Sequence, residues 1–417
     1  MKGSEPMAEN GLVKQLISRG VTIPCPQSVQ IGPEVLPERI SGQGVTIHGG
    51  CRLFGEKTLI LPGAELGAEA PVTVKNCWVG PDVKLQGGYF EGSCFLQGAS
   101  MSSGAQVRSG CLLEEGARGG HTVGLKQTIL LPFVTLGSLV NFCDCLMAGG
   151  TDEKNHSEVG SSYIHFNYTP NQDKATPSLI GDVPRGVMMN QRPIFLGGQG
   201  GLVGPVRITY GVVVAAGAIV RKDLLKENTL LLGSPAIART LHFRPGIFSN
   251  LKRIVTLNTI YMAQLVALRR WYVEVRSRFM DRDPMDKALF QGALETLDLA
   301  LNERLRRLGQ VAERLGERDA EEEGGPGPKA QEFHKRWGEM DAAIRGALDF
   351  AGNPALRESF LECLERRTSE AESDYLGVIR GLTPEDQGLG TRWLQGVVDE
   401  TCKRAWAVVP GLGIGGA

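Results

Sequence analysis

The stretch LVGPVRITYGVVVAAGAIVRKDL, residues 202–224, carries an aliphatic side chain at every sixth position, namely Leu202, Ile208, Val214 and Val220. An earlier stretch, ILPGAELGAEAPVTVKNCW at residues 60–78, keeps the same spacing with Ile60, Leu66, Val72 and Trp78. The positions between them hold Gly, Ala, Pro, Asp and Asn, which are the residues that tight turns require. A period of six fits a short strand and a turn, whereas a helix has a period of 3.6 and a β-sandwich alternates at two over longer strands. The spacing therefore predicts a parallel β-helix in which each coil buries its aliphatic residues on the next.

The sequence changes character near residue 240. Beyond it, charge rises and LETLDLALNERLRRLGQVAERLGERDAEEE (294–323) shows a helical leucine stripe: Leu294, Leu297, Leu301, Leu305 and Leu308. EEEGGPGPK (321–329) reads as a break, and further amphipathic helices are predicted at about 330–350, 355–380 and 390–407. We therefore expect an N-terminal segment over 1–40 that leads into a β-helix over 41–240, followed by an all-α domain over 241–417.

The composition excludes several functional classes. Lys and Arg number 45 against 46 Asp and Glu, and this balance gives no basic face for nucleic acid. The nine scattered cysteines do not form a disulfide framework, and Cys143-x-Cys145 has no second pair at zinc spacing, so we expect no metal. Residues 1–20 lack a secretory signal, and the apolar run IVTLNTIYMAQLVAL (254–268) is shorter than the roughly 20 residues of a membrane span. The sequence predicts a cytoplasmic protein without a membrane partner.

The repeat breaks over residues 154–182, KNHSEVGSSYIHFNYTPNQDKATPSLIGD. His156 follows a polar turn and is a candidate general base, whereas His165 is not expected to join it at a metal. Asn167 and Tyr168 begin a loop that ends near Lys174 and could bind a ligand, because binding groups concentrate in loops on rigid scaffolds. An exposed histidine and a surface loop without function are the plain alternatives.

These residues resemble a known family. VNFCD (140–144), EKNH (153–156), FNYT with the following lysine and IGD (166–182), residues 202–224 and LLGSPA (231–236) are similar to the left-handed β-helix acyltransferases with hexapeptide repeats. The resemblance is to the acetyltransferase domain of the bifunctional glucosamine-1-phosphate N-acetyltransferase/N-acetylglucosamine-1-phosphate uridyltransferase family. It covers about residues 40–240 and implies a mainly β fold, a left-handed parallel β-helix, followed here by the all-α domain.

The resemblance implies a homotrimer that uses acetyl-CoA to acylate an amino sugar, a sugar phosphate or a sugar nucleotide, at sites between subunits. His156 maps onto the family's catalytic base. The acceptor site is expected to include Asn141, Asn155, Asn167, Tyr168 and Lys174. The coenzyme is expected to contact Ala215, Ala216, Gly217, Ser234 and Arg239.

The chain also departs from the family. Leu131 and Leu146 stand where the family has an arginine and a lysine for phosphate, and Val159 replaces a tyrosine. The stretch between His156 and Asn167 is about a dozen residues shorter than usual, and nothing resembles the uridyltransferase domain. Two alternatives to an acetyltransferase stay open: a non-catalytic β-helix scaffold, or a sugar-nucleotide-binding protein whose helical domain mediates assembly.

Overall fold

The computed structural model describes residues 9–171, 173–233, 240, 248, 250–317, 327–370 and 374–414. It shows a parallel β-helix followed by a helical region, which confirms the predicted fold class. The paired strands of both large sheets are parallel, so the β-sandwich alternative is wrong for the described residues. The division of the chain near residues 40 and 240 stays a prediction.

The strands of each coil lie on three faces. Face one contains Gln30–Ile31, Arg52–Phe54, Val72–Lys75, Gly88–Glu91, Ala105–Val107, the first parts of Gly124–Leu130 and Asn141–Met147, then Ile164–Phe166, Gly201–Val203 and Ile219–Val220. Face two contains Leu59–Ile60, Trp78–Val79, Cys94–Phe95, Leu112–Leu113, the second parts of the same two long strands, Ser178–Ile180 and Arg207–Ile208. Face three contains Thr46–Ile47, Glu65–Leu66, Lys84–Leu85, Ser100–Met101, Arg118–Gly119, Thr135–Leu136, Glu158–Val159, Phe195–Leu196, Val213–Val214 and Leu230–Leu231.

The six-residue spacing identifies most of the interior. Leu202, Ile208, Val214 and Val220 are all buried inside the coils, as predicted. Trp78 is the exception, because Val79 fills the interior at that coil and the Trp78 ring points outward onto a helix at Gly292. The ring is buried because a second layer covers this face.

The described helices are α1 (Glu9–Ser18), α2 (Val183–Gly186), α3 (Leu251–Glu274), α4 (Pro284–Gly316), α5 (Pro328–Gly346), α6 (Pro354–Glu370), α7 (Tyr375–Arg380) and α8 (Pro384–Ala407). Short 3-10 segments are Pro26–Ser28, Pro37–Arg39, Arg276–Arg278, Ala347–Asp349 and Pro410–Leu412. The single helix predicted over 355–380 is wrong, since Asp374 caps a separate α7 through the backbone N–H of Gly377. No helix within the described ranges has the length and apolar character to cross a bilayer.

The helical region covers face two. The outward row of this face is apolar through seven successive coils: Leu59, Trp78, Cys94, Leu112, Ile129, Leu146 and Leu179. All seven are buried, and α4 lies directly against the strands at 59–60, 78–79, 94–95 and 112–113. A strand that is buried on both sides needs apolar residues at adjacent positions, which explains these doublets.

Candidate functional site

His156 lies on a small antiparallel hairpin that interrupts the parallel coils. Gly150–Asp152 pairs with Asn155–His156 at the corner between faces two and three, and Asp152 Oδ1 accepts the turn's N–H groups from Lys154 and Asn155. The His156 side chain is half-buried, and its Nδ1 donates to the carbonyl oxygen of Glu153 at 2.8 Å. Nε2 makes no hydrogen bond to the part of the chain that the structure describes. In the neutral ring this arrangement leaves the lone pair on Nε2, as a general base requires.

Asn141 and Asn155, the predicted acceptor residues that precede His156, do not hydrogen-bond to its ring. Asn155 is exposed and its Nδ2 donates to Thr151 Oγ1 at 2.9 Å, within the hairpin itself. Asn141 stands in the outward row of face one, between Gly124 and Ile164 on neighbouring coils. Its side chain is exposed to solvent.

The loop after Phe166 carries the remaining acceptor candidates, at the corner between faces one and two. Asn167 Nδ2 donates to Asp144 Oδ2 at 3.0 Å, and Thr169 hydrogen-bonds Asp173. The side chains of Tyr168 and Lys174 are exposed. The loop is therefore folded at its base and presents an aromatic ring and an ammonium group outward.

The helical region forms hydrogen bonds to this loop, a contact that the sequence did not predict. Arg304 on α4 donates to Asp144 Oδ1 at 2.6 Å and to the carbonyl oxygen of Lys174 at 3.2 Å. Arg314 donates to the carbonyl oxygen of Asn171, and Asn258 on α3 to that of Ala175. A signal was present, because Arg304 falls between Leu301 and Leu305 on the buried stripe of its helix.

His165 occupies a structural position. It is buried, its Nδ1 donates to the carbonyl oxygen of Cys143, and its Nε2 accepts from Ser178 Oγ. Burial lowers the pKa of His165 to about 4, so the ring is neutral at physiological pH. A substrate in solvent does not reach it.

The corner between faces three and one is built from small residues. Ala215, Ala216 and Gly217 form the turn between Val213–Val214 and Ile219–Val220, and the surface in front of Gly217 is open. Three earlier glycines of this corner are required by packing, since a Cβ there would approach backbone of the next coil within 3.0 Å: Gly137, Gly160 and Gly197. Close packing between successive coils therefore explains the small residues at this corner, and the outer surface of the corner at Gly217 is open. Ser234 and Arg239 lie outside the described residues.

Within one chain, the predicted site residues do not come together. His156 lies at the corner between faces two and three, Asn167 at the corner between faces one and two, and Ala215 at the third corner. The loop is a cluster by itself, held through Asp144 and Arg304.

The departures from the family have a local explanation. Leu146 belongs to the apolar outward row of face two, and Leu131 follows the same face; both are buried. A phosphate-binding side chain has no access to solvent at either position. Burial also raises the pKa of the Cys143 thiol, and no group of three or more His, Cys, Asp and Glu suited to a metal occurs among the described residues.

Comparison with known proteins places these observations in a family context. No family model matches the chain. The chain is similar to the bifunctional protein GlmU of Oleidesulfovibrio alaskensis, with 29% identity over 231 residues, which covers 54% of this chain and 43% of the relative. The GlmU proteins of Nitratidesulfovibrio vulgaris (27% over 228 residues, 53% and 43%) and Acinetobacter baumannii (28% over 240 residues, 56% and 46%) are similar as well. The chain spans less than half the length of these curated relatives. These matches and the parallel β-helix confirm the predicted resemblance: over about half its length the chain is similar to GlmU proteins, and its fold is the β-helix expected for a domain that resembles their left-handed β-helix acetyltransferase domain.

Proposed function

We propose that this chain is an acyl-CoA-dependent N-acyltransferase that acetylates an amino sugar, free or linked to phosphate or a nucleotide. The observation that carries the proposal is the His156 ring, whose Nδ1–H is committed to Glu153 and whose Nε2 is uncommitted within the described residues. The similarity to GlmU proteins over about half the chain supports the same reaction class.

The chemistry assigned to His156 is general base catalysis. The amine nitrogen of the acceptor attacks the thioester carbon and Nε2 of His156 removes its proton. The C–S bond then breaks, and the leaving thiolate takes that proton from the imidazolium, so coenzyme A is released as a thiol. The carbonyl oxygen of Glu153 stabilises the imidazolium through Nδ1–H, because a charged donor makes a stronger hydrogen bond than a neutral one. Asn167, Tyr168 and Lys174 shape the acceptor pocket in this proposal.

The active assembly is a homotrimer in this proposal, because one chain separates the predicted parts onto three corners. Face two is covered by helices, so neighbouring copies meet through faces one and three. Over the last coils both faces expose apolar outward rows: Ile164 and Ile219 on face one, and Phe195, Val213 and Leu230 on face three. Earlier outward positions of face three are polar, for example Glu65, Lys84 and Arg118. Contiguous apolar rows of this kind mark contact surfaces.

The test is an acetyltransferase assay on the intact chain that measures release of free coenzyme A thiol. Acceptors are glucosamine, glucosamine 1-phosphate and amino sugars linked to uridine diphosphate. We expect His156→Gln to lose about 10²–10⁴-fold in turnover, the usual contribution of a general base. His121→Gln is the matched control, because His121 is exposed and, among the described residues, its ring hydrogen-bonds only Glu69. Full activity in His156→Gln would show that His156 is not the base.

A non-catalytic scaffold is the second candidate, and one observation favours it. The helical region buries face two, and Leu146 stands on that face where the family has a phosphate-binding lysine. An enzyme of this class must bind acetyl-CoA, and a ligand that binds the native state raises the melting temperature. A scaffold does not need to bind the coenzyme. Absence of any shift with millimolar acetyl-CoA, together with no turnover on any acceptor, would support the scaffold and contradict the enzyme.

A further inference from the structure

A large cavity separates the last coils of face two from the helical region. Its volume is about 1010 Å³, which is at the upper end of the range typical of small-molecule sites. One wall consists of residues on the β-helix near Leu179 and Ile208, and the other of α3, α8 and the segment that follows α8. It lies on the covered side of the β-helix, away from the exposed turn at Gly217.

The walls of this cavity are largely apolar. Leu179 and Leu225 contribute from the β-helix, Ile260 from α3, and Val398 and Trp406 from α8. A second cavity between coil and helical residues, near Leu96 and Phe279, has a volume of only about 90 Å³. An apolar body can therefore be accommodated without displacing a neighbouring side chain.

The coil wall changes from apolar to charged at this cavity. The outward row of face two ends with Leu179 and then Arg207, which pairs with it on the next coil. Arg207 Nε donates to Asp223 at 3.2 Å, but its two terminal nitrogens make no hydrogen bond within the described residues. Arg207 and Lys403 both line the cavity, and Lys403 Nζ also lies 3.8 Å from Glu400 Oε2, so the cationic N–H donors of the cavity come mainly from Arg207.

The buried floor adds another unused donor. Gln264 on α3 is only 4% exposed, and its Oε1 accepts from the backbone N–H of Val183 at 2.7 Å. Its Nε2 has no partner in the described part of the chain. A buried amide that makes only part of its hydrogen bonds is costly unless a ligand or water completes them.

The two carboxylates around the cavity are engaged, that of Asp182 by two donors and that of Asp399 through one oxygen. The Asp182 carboxylate receives the backbone N–H and the guanidinium of Arg185. Asp399 accepts from Gln395 at 2.8 Å. The cavity therefore has spare donors and few spare acceptors, and a ligand that supplies acceptors and negative charge complements it.

We propose that this cavity binds a monomeric organic carboxylate with an apolar body. Arg207 holds the carboxylate, with Lys403 adding positive charge at the rim and Gln264 donating from the floor. Ile260, Val398 and Trp406 contact the apolar part. This site is separate from the proposed acetyl transfer, since none of the predicted site residues that the structure describes lines it.

Isothermal titration of the intact chain tests the proposal, with decanoate, decanol and decyltrimethylammonium as probes at concentrations below micelle formation. We expect saturable binding of decanoate at one site, at least tenfold weaker binding of decanol, and no binding of the cation. No heat with decanoate at millimolar concentration, or equal affinity for decanoate and decanol, would overturn the proposal.

Two variants locate the site. Arg207→Gln should weaken decanoate binding at least tenfold, while Arg221→Gln, an exposed arginine that does not line the cavity, should leave it unchanged. Gln395→Trp places a large ring at an exposed lining position of α8 and should block binding without disturbing the core. Decanoate binding that is unaffected by both Arg207→Gln and Gln395→Trp would place the ligand elsewhere and contradict the assignment.

Discussion

The ion pair between Arg304 and Asp144 joins the helical region to the loop that carries the candidate acceptor residues. The side chains are only 2% and 5% exposed, and Arg304 Nη2 lies 2.6 Å from Asp144 Oδ1. Arg304→Met keeps most of the side-chain volume but leaves the Asp144 carboxylate buried without its partner. Removing one member of a buried pair costs about 3–5 kcal/mol of unfolding free energy, since the remaining charge stays desolvated. The arginine's hydrogen bond to Lys174 is lost as well.

Thermal unfolding followed by circular dichroism measures this effect. In domains of 150–250 residues each kcal/mol lowers the melting temperature by roughly 2–4 °C, so Arg304→Met should melt roughly 6–20 °C below the wild type. Amide hydrogen exchange should accelerate first in the loop from Asn167 to Ala175, which the helices hold. Arg306→Met is the matched control on the same helix, because Arg306 is half exposed and its pair with Glu303 should contribute less than about 1 kcal/mol.

A second variant separates the lost charge pair from lost packing. Asp144→Asn combined with Arg304→Met removes the unpaired charge, keeps an acceptor for Asn167, and suits the positive φ of 62° at residue 144. We expect the double variant to recover much of the stability that Arg304→Met loses. A melting temperature for Arg304→Met equal to that of Arg306→Met would refute the reasoning that the helical region stabilises the loop through this pair.

Three further predictions concern other parts of the chain. Burial raises the pKa of Glu114 to about 7, so the folded protein holds a proton there that the unfolded chain has already lost, and the melting temperature should fall between about pH 5 and 7. Glu114→Gln should remove this fall, and an unchanged pH profile of the melting temperature would contradict the prediction. Gly292→Ala would place a Cβ 2.3 Å from the Trp78 ring, so urea unfolding should show about 1–3 kcal/mol of overpacking cost, more than the roughly 1 kcal/mol gained in helix propensity. Phe195→Glu puts a charge into the exposed apolar row of face three and should convert the proposed trimer to monomers in sedimentation velocity. The same sedimentation profile as the wild type would exclude this row from the contact between subunits.

Part of the architecture could be read directly from the amino-acid sequence. The six-residue period reports which residues face the interior of a coil, because each coil repeats the same strand and turn, and Leu202 to Val220 follow it without exception. The apolar doublets of face two, such as Leu112–Leu113, also indicate a face that is buried on both sides. The six-residue spacing does not detect these doublets, and it wrongly assigned Trp78 to the interior of its coil. The leucine stripe of α4 likewise predicted a helix packed along one side.

The placement of functional side chains could not be read in this way. Residues near each other in sequence, such as His156 and Asn167, are at different corners, because a strand of face three and one of face one intervene. The contact of Arg304 with Asp144 joins positions 160 residues apart, and no local pattern specifies which buried polar groups will meet at such a distance.

The amino-acid sequence by itself determined the β-helix, the helical character of the second half and the resemblance to GlmU proteins, because strand period, helix period and motifs are local properties of the chain. Only the tertiary structure decided that the helices cover face two, that Arg304 holds the loop of Asn167, and that a cavity remains beside Arg207. These depend on how two large surfaces pack against each other, and packing is a property of the whole folded chain.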